Sequence, residues 1–424
     1  MLRLALSIGL SIASIAPAAE KPPNVILIFA DDQRMDTIHA LGNAEIRTPN
    51  LDALVDRGFH FTNAYCQGSM VPAVCTPSRT MLLTGKSLFR IPNPTAKTYD
   101  GPTLGGTFRK AGFNTLCVSK PGNSFRVGHE AFETVVHIPH SGPPTNQKCA
   151  DATIDFLKEQ SAEKPFFVYL APSMPHDPRT AEPEFHKMYD PEKITLSKNF
   201  LPKHPFDNGE LEVRDEKLAK TPRDPAEMRK HVADYYACIT SLDHHLGRVL
   251  TTLKEKNVFD NTVVVFTSDQ GLAVGGRHGL MGKQNLYEHF KSPLILAGPG
   301  VPKGNSEALV YLFDLFPTLC SLARIEVPNA VEGADLSPIL RGETRAVRKS
   351  LFAAYKDVQR MVRDERWKLI WYPKVNRFQL FDLKADPDEL NDLSAKPEQT
   401  DRLAVMKVLL SGNQEKWGDK AGRP

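Results

Sequence analysis

The chain lacks most of what would mark it as a small disulfide-built, zinc-binding or nucleic-acid-binding protein. Its six cysteines, at positions 66, 75, 117, 149, 238 and 320, include no C-x-x-C pair, which excludes the usual zinc spacings and a dense disulfide scaffold. Charge of one sign is scarce: 53 Lys and Arg against 50 Asp and Glu give a formal net charge of +3. A nucleic-acid partner calls for a clustered basic face, so none is expected, although local positive charge in a cleft still suits an anionic substrate. Beyond the N-terminus no apolar run reaches the ~20 residues of a membrane span. Internal repeats and low-complexity tracts are missing as well.

What is there is an ordinary globular composition, 41% hydrophobic over 424 residues, enough for one large domain and a smaller one. Residues 1–18 combine an early Arg3, an apolar run over 4–15 and Ala16-Pro17-Ala18, the layout of a secretory signal peptide. Lys21-Pro22-Pro23 would break a buried helix at that place. The expectation is a mature chain starting near Ala19, secreted or periplasmic.

Continuous apolar runs at 24–29, 115–118, 166–170, 263–266 and 294–296 read as strands buried on both faces of a mainly parallel sheet. Between them, 151–159 and 227–256 carry apolar residues at helical spacing, the second with Val232, Tyr235, Ile239, Leu242, Leu246, Val249 and Leu253 on one stripe. The alternation predicts an α/β fold: a large mixed, mainly parallel sheet covered by helices. The stretch 172–225 is rich in Pro, Asp, Glu and Lys with little periodicity, and is expected to be a substrate-facing loop region. Past about residue 345 the pattern changes to short strand-like runs at 366–372 and 379–383, a turn at Asp386-Pro387-Asp388 and a closing helix near 399–410.

Carboxylates follow two of the strand ends, at Asp31-Asp32 and at Asp269. In open α/β sheets the ligand crevice lies outside the carboxyl ends of the strands, so two separate segments deliver acids to one edge. A lone Asp-Asp pair is most often a helix cap. Adjacent carboxylates repel unless a cation lies between them, and Asp31, Asp32, Asp269 and Gln270 offer only hard oxygen donors, a set suited to Ca²⁺ or Mg²⁺.

Cys75-Thr76-Pro77-Ser78-Arg79, followed by Thr84-Gly85, resembles the signature of the type I sulfatases of the alkaline phosphatase superfamily, and the resemblance extends from Asn24 to about Leu393. It implies a sulfatase-like fold with a catalytic domain over 19–345 and a small C-terminal antiparallel β-sheet subdomain with a helix over 346–424. It also implies a sulfuric ester hydrolase in which Cys75 is oxidised to formylglycine by a maturation enzyme that reads Pro77 and Arg79. A hydrated aldehyde attacks sulfur through one hydroxyl and releases sulfate when the other is deprotonated, which spares the enzyme a difficult second hydrolysis. By the same resemblance Arg79 holds the formylglycine oxygen and Cys75 joins Asp31, Asp32, Asp269 and Gln270 around the cation, where relatives carry Asn or His in place of Gln270. Lys283, in Gly279-Leu280-Met281-Gly282-Lys283, and Lys120 match the sulfate-binding lysines. His176, in Met174-Pro175-His176-Asp177-Pro178, matches the His at the ester oxygen, and His278 is a further substrate-pocket candidate. The expected substrate is a sulfated carbohydrate or another sulfate ester. With Cys75 consumed, five cysteines remain, so at least one is unpaired.

The pattern breaks at Ser119-Lys120-Pro121-Gly122, where relatives read G-K-W-H. Gly122 stands in the His position, and His129, His137 and His140 are the replacements at hand; His176 acting alone is the alternative. Two competing functions remain open: a phosphate or phosphonate ester hydrolase of the same superfamily, against which the intact C-x-P-S-R argues, and a sulfated-glycan binding protein without turnover, which the missing His would explain.

Overall fold

The five apolar runs become strands buried along nearly their whole length, because each packs helices on both faces. In the computed structural model, which describes residues 21–140, 145–161 and 163–424, the strands are β1 (Asn24–Ala30), β2 (Phe59–Tyr65), β3 (Gly68–Ser69), β4 (Asn114–Ser119), β5 (Thr134–His137), β6 (Phe166–Ala171), β7 (Thr262–Ser268), β8 (Leu294–Ala297), β9 (Gly304–Tyr311), β10 (Leu351–Tyr355), β11 (Gln359–Arg363), β12 (Trp367–Tyr372) and β13 (Arg377–Asp382). The expected signal segment, 1–18, lies outside the described residues.

Eight strands form the large sheet in the order β5-β4-β6-β1-β7-β8-β2-β9. All neighbours are parallel except at β8, which runs antiparallel to both β7 and β2. Side chains alternate across a strand, and β1 shows the result. Val25, Leu27 and Phe29 join a core with Met81, Leu82 and Leu83 of the helix Cys75–Thr84 on one face. Ile26 and Ile28 meet Leu242, Leu246, Val249 and Leu253 of the helix Pro225–Glu255 on the other. Truncating a wholly buried side chain such as Leu27 to Ala costs about 2–5 kcal/mol through lost transfer energy and the cavity left behind.

The second sheet, β13-β12-β11-β10-β3, adds one strand from outside 346–424 to the expected C-terminal antiparallel unit. β10 to β13 are antiparallel, but β3 pairs parallel to β10 through Gly68↔Ala354 and Ser69↔Tyr355. Gly68 sits at φ 96°, and a Cβ there would lie 1.9 Å from the Ala354 carbonyl oxygen, so the close pairing requires glycine. The second sheet thereby grips the chain six residues ahead of Cys75. The closing helix runs over Thr400–Trp417, longer than expected, and packs on β10, β11 and β12. The loop region 172–225 holds only short helical turns and no strand longer than a bridge. All six cysteines are buried and unpaired, and no helix among the described residues is long and apolar enough to cross a membrane.

Candidate active site

Register places the acids. Ala30 and Ser268 are partners on β1 and β7, so Asp31 and Asp269 leave adjacent parallel strands at the same level. Asp32 adopts a left-handed backbone, φ 68°, which Asp tolerates better than most residues. Its N–H donates to Asp269 Oδ1 at 2.8 Å, and its carbonyl accepts from the Tyr235 hydroxyl at 2.6 Å. Tyr235, on the long helix Pro225–Glu255, thus pins the turn from behind.

Cys75 opens the helix Cys75–Thr84, in which every residue but Thr76 is buried. Around its Sγ stand Lys283 Nζ at 3.1 Å, Gln270 Nε2 at 3.3 Å and Asp32 Oδ1 at 3.7 Å. Lys283 also donates to both Asp32 oxygens, at 3.1 and 2.9 Å, and Lys120 pairs with Asp31. One helical turn after Cys75, the Arg79 guanidinium lies 3.4 Å from Asp31 and 3.6 Å from Asp269, donates to the Tyr169 hydroxyl at 3.3 Å and covers the Phe29 ring. Ser78 Oγ donates to the Asp269 carbonyl at 2.7 Å. Three carboxylates and three cationic side chains from five separate segments meet at one edge.

Charge balance in this cluster is tight. Burial pushes the Asp269 carboxyl well above the ordinary range, and the neighbouring Asp31 adds to the rise. Asp31 is held well below it: burial opposes ionisation, but Lys120 and Arg79 outweigh that cost. The Cys75 thiol is driven well up by burial, Asp269 and Asp31 despite Lys283 beside it, so the unmodified side chain stays a protonated thiol, a poor nucleophile.

The donor set fits a hard cation. Among the described residues, Asp31 Oδ1, Asp269 Oδ2 and Gln270 Oε1 are buried oxygens without a hydrogen-bond donor, where buried acceptors are almost always satisfied. Ligand atoms of Asp31, Asp32, Cys75 and His176 lie within 4.8 Å of one another. The Gln270 amide nitrogen faces Asp32 and Cys75; a half-turn of the amide presents the oxygen instead.

His176 reaches the same cluster from the turn after β6. Its Nδ1 is 2.7 Å from the Asp177 carbonyl oxygen and its Nε2 is 3.7 Å from Asp32 Oδ2. Arg214 bridges Asp177 and Asp215, 2.9 Å from an oxygen of each, and Asp215 accepts from Gln284 Nε2 at 2.8 Å. Burial would raise the Asp177 carboxyl, but Arg214 brings it down to about 2. Through Arg214 the 172–225 loops tie the His176 turn to the Lys283 turn. Arg214, Asp215 and Tyr235 gave no signal as site residues, because a lone Arg, Asp or Tyr forms no local motif.

The structure does not bring His278 to this cluster. Its ring stacks on Tyr287 at 4.0 Å and its Nε2 lies 2.8 Å from Glu288 Oε2, beside the Arg277–Glu288 ion pair; a buried carboxylate holds it in a structural network. Gly122 is exposed, and a Cβ there would meet nothing within 4 Å. Of the three replacements, His137 is exposed. His129 is wholly buried with Nδ1 3.1 Å from Ser119 Oγ, and burial and Arg79 push it down to about 3, too low to carry a proton at neutral pH. His140 lies against His176.

An eight-stranded sheet with buried acids at its carboxyl edge, facing a cysteine-headed helix and two lysines, defines an α/β hydrolase of anionic esters. Comparison with known proteins narrows the class: the sulfatase family model matches residues 23–325 and the N-sulphoglucosamine sulphohydrolase C-terminal model matches 276–416, so the chain belongs to the sulfatase family, the sulfuric ester hydrolases. It is similar to an N-acetylglucosamine-6-O-sulfatase of Bacteroides thetaiotaomicron, 28% identical, with 97% of this chain and 90% of that protein covered. A solved structure in complex with its substrate D-glucosamine-2-N,6-O-disulfate shares the fold at TM-score 0.79 and 23% identity, covering 94% of this chain and 99% of that one. A phosphonate monoester hydrolase from Silicibacter pomeroyi shares it at TM-score 0.77 and 24% identity, covering 93% and 95%.

Proposed function

We propose that this sulfatase hydrolyses O-sulfate esters of carbohydrate, through Cys75 matured to formylglycine and with Ca²⁺ or Mg²⁺ held by Asp31, Asp32, Asp269 and Gln270, after export directed by residues 1–18. The observation that carries the reading is the setting of Cys75: a buried side chain at the head of a helix, with its Sγ within 3.7 Å of Lys283, Gln270 and Asp32 and its thiol pushed up by burial and by Asp269 and Asp31. Such a group is badly placed for thiolate chemistry and well placed for an oxygen nucleophile made from it. Matured, position 75 supplies a geminal diol whose one hydroxyl attacks sulfur and whose other, once deprotonated, lets sulfate go. A bound cation supplies a lowered hydroxyl pKa and charge neutralisation at sulfate oxygens.

The chain's own residues do the rest. Lys283 and Lys120 are the charge partners for sulfate oxygens, and Arg79 is the cation one turn behind position 75. Lys283 keeps its proton firmly: burial works against the charge, but Asp32 holds it well above the ordinary lysine value. His176 is oriented as a proton donor. The Asp177 carbonyl can only accept, so Nδ1 carries a hydrogen; Nε2 is the free nitrogen, and it passes a proton to the departing alcohol from the imidazolium form, in which both nitrogens carry one. Buried, preorganised charge of this kind is usually the largest contribution to catalysis.

Sulfated sugar is favoured as substrate by the relatives' named activities. The phosphonate monoester hydrolase shares only the fold, and relative rates on aryl sulfate and aryl phosphate separate the two chemistries. The deciding experiment is mass spectrometry of the peptide carrying position 75, from protein co-expressed with a formylglycine-generating enzyme, alongside sulfate release. An aldehyde at 75 with release abolished by Cys75→Ala is expected. An aldehyde without release from any aryl or sugar sulfate would replace the reading with a glycan-binding protein.

A further inference from the structure

Three parallel strands, β5, β4 and β6, end side by side: Ser119 of β4 pairs with His137 of β5 and with Ala171 of β6. The ladder continues one residue past β5, where the Ile138 N–H donates to the Ser119 carbonyl at 2.9 Å. The chains leaving these strands therefore emerge together, carrying Lys120 from β4, Ser173 and His176 from β6, and His140 from β5. His140 Nδ1 is 2.7 Å from the hydroxyl of Ser173, which is itself 2% exposed. Its ring meets His176 edge-on with centroids 5.9 Å apart. His176, Asp31, Lys120 and Asp177 are the charged and titratable groups around it.

The other ring nitrogen, Nε2, is buried and has no hydrogen-bond partner among the described residues. His204 bonds both of its nitrogens, to the Phe206 carbonyl at 2.6 Å and the Tyr287 hydroxyl at 3.0 Å. His60, His129 and His289 also carry orphaned nitrogens, but His129 and His289 are wholly buried, His60 lies half-buried on β2, and none of the three stacks on His176. His140 alone of the four lies against His176, and it is half-buried. A polar atom shielded from water without a partner is costly, and a ligand that supplies the partner recovers that cost.

We propose that His140 is a substrate contact for the alcohol part of the ester: its Nε2 takes a hydroxyl or ring oxygen of the sugar that leaves from sulfate, next to His176. This rests on the sulfate-ester reading above. A site built to hydrogen-bond a substrate hydroxyl discriminates strongly against a substrate without one, so His140 sets preference for hydroxylated over plain aromatic leaving groups. Ser173 is the positioning residue that fixes the ring through Nδ1.

The test compares kcat/KM on 4-nitrophenyl sulfate with that on a panel of monosulfated hexoses and hexosamines, for the matured full-length protein and for His140→Ala, His140→Gln and Ser173→Ala, with thermal melts to establish folding. For the two His140 variants the ratio of sugar to aryl kcat/KM is expected to fall about 10- to 100-fold, with a smaller fall in the same direction for Ser173→Ala. The two His140 variants and Ser173→Ala remove the contact independently, so misfolding of one leaves the test intact. An unchanged ratio overturns the assignment, as does wild-type protein that cleaves the aryl ester and no sugar sulfate; the sulfatase reading survives both. Matured wild-type protein that releases sulfate from neither substrate sinks both proposals.

Discussion

The two sides of the crevice are held by different means. Around Cys75, the groups are fixed by strand register and a buried helix: Asp31 and Asp269 sit one residue past paired strand ends, and Arg79 is one turn from Cys75 with no exposed surface. Around His176, the groups hang on loops and are held by side-chain links, Arg214 to Asp177 and Asp215, and Ser173 to His140. The first side cannot change without repacking the core. The second can exchange one residue for another, and on the proposal above the imidazole missing at Gly122, after β4, is supplied by His140, after β5.

Breaking the rigid side has the largest expected effect. Asp31→Asn removes a ligand oxygen and leaves Lys120 and Arg79 short of a partner, so sulfate release should fall by about 10³-fold or more, since cation stabilisation of the transition state is worth several kcal/mol. The same variant should lose metal-linked stability. Wild-type protein at Ca²⁺ or Mg²⁺ a hundredfold above Kd gains about 2.7 kcal/mol, read as a rise in Tm that a chelator reverses; a chelator-insensitive Tm would remove the cation from the site.

The loop-held side should give way more gently. His176→Ala is expected to cost about 10²-fold on a sugar sulfate, within the usual range for a lost general acid, and less on 4-nitrophenyl sulfate, whose leaving group needs little help. Equal losses on the two esters would assign His176 to the sulfate instead of the alcohol.

A third contrast lies within the histidines. Burial and Arg79 depress His129 to about 3 in the folded protein, against about 6.5 in an unfolded chain. The unfolded state then binds the proton first, so stability is complete above pH 6.5 and declines as pH falls toward 3, by about 1.4 kcal/mol per unit for this group. His129→Asn should flatten that acid limb in melts taken between pH 7 and 4. An unaltered slope would mean that His129 is not held neutral.

The same contrast governs what could be read from the sequence. β1, β4, β6, β7 and β8 stood out because both faces are buried and their runs are unbroken. β2 (Phe59–Tyr65), β5 and β9 did not: His60, Thr62 and Asn63 lie half-buried among the apolar residues of β2, and Gly304 to Glu307 of β9 are largely exposed. β3 is two residues long and becomes a strand only by pairing with Ala354 and Tyr355. On the rigid side, Asp31, Asp32, Cys75, Arg79, Lys120, Asp269 and Lys283 were legible because each lies in a short motif next to a strand or helix end. On the loop-held side only His176 was. Arg214, Asp215 and the pairing of Ser173 with His140 depend on distant segments meeting, and His278 was misplaced because Glu288, its buried partner, carries no local mark of the network it joins.

Gly122→His should have the smallest effect and sharpens the comparison most. Position 122 is exposed, a Cβ there meets no atom within 4 Å, and the residue has an ordinary backbone without positive φ. The variant should therefore fold with stability within about 0.5 kcal/mol of wild type. If His140 already occupies the alcohol side, the added imidazole brings no new contact and kcat/KM on sugar sulfates should change by less than about tenfold, which is under about 1.4 kcal/mol of barrier. A gain of a hundredfold would show that this side of the crevice is incomplete in the natural chain and that the exchange between β4 and β5 is only partial. A tenfold or greater loss with an unchanged Tm would show the converse, that a side chain at 122 obstructs the space the sugar uses, and that the glycine is there to keep it open.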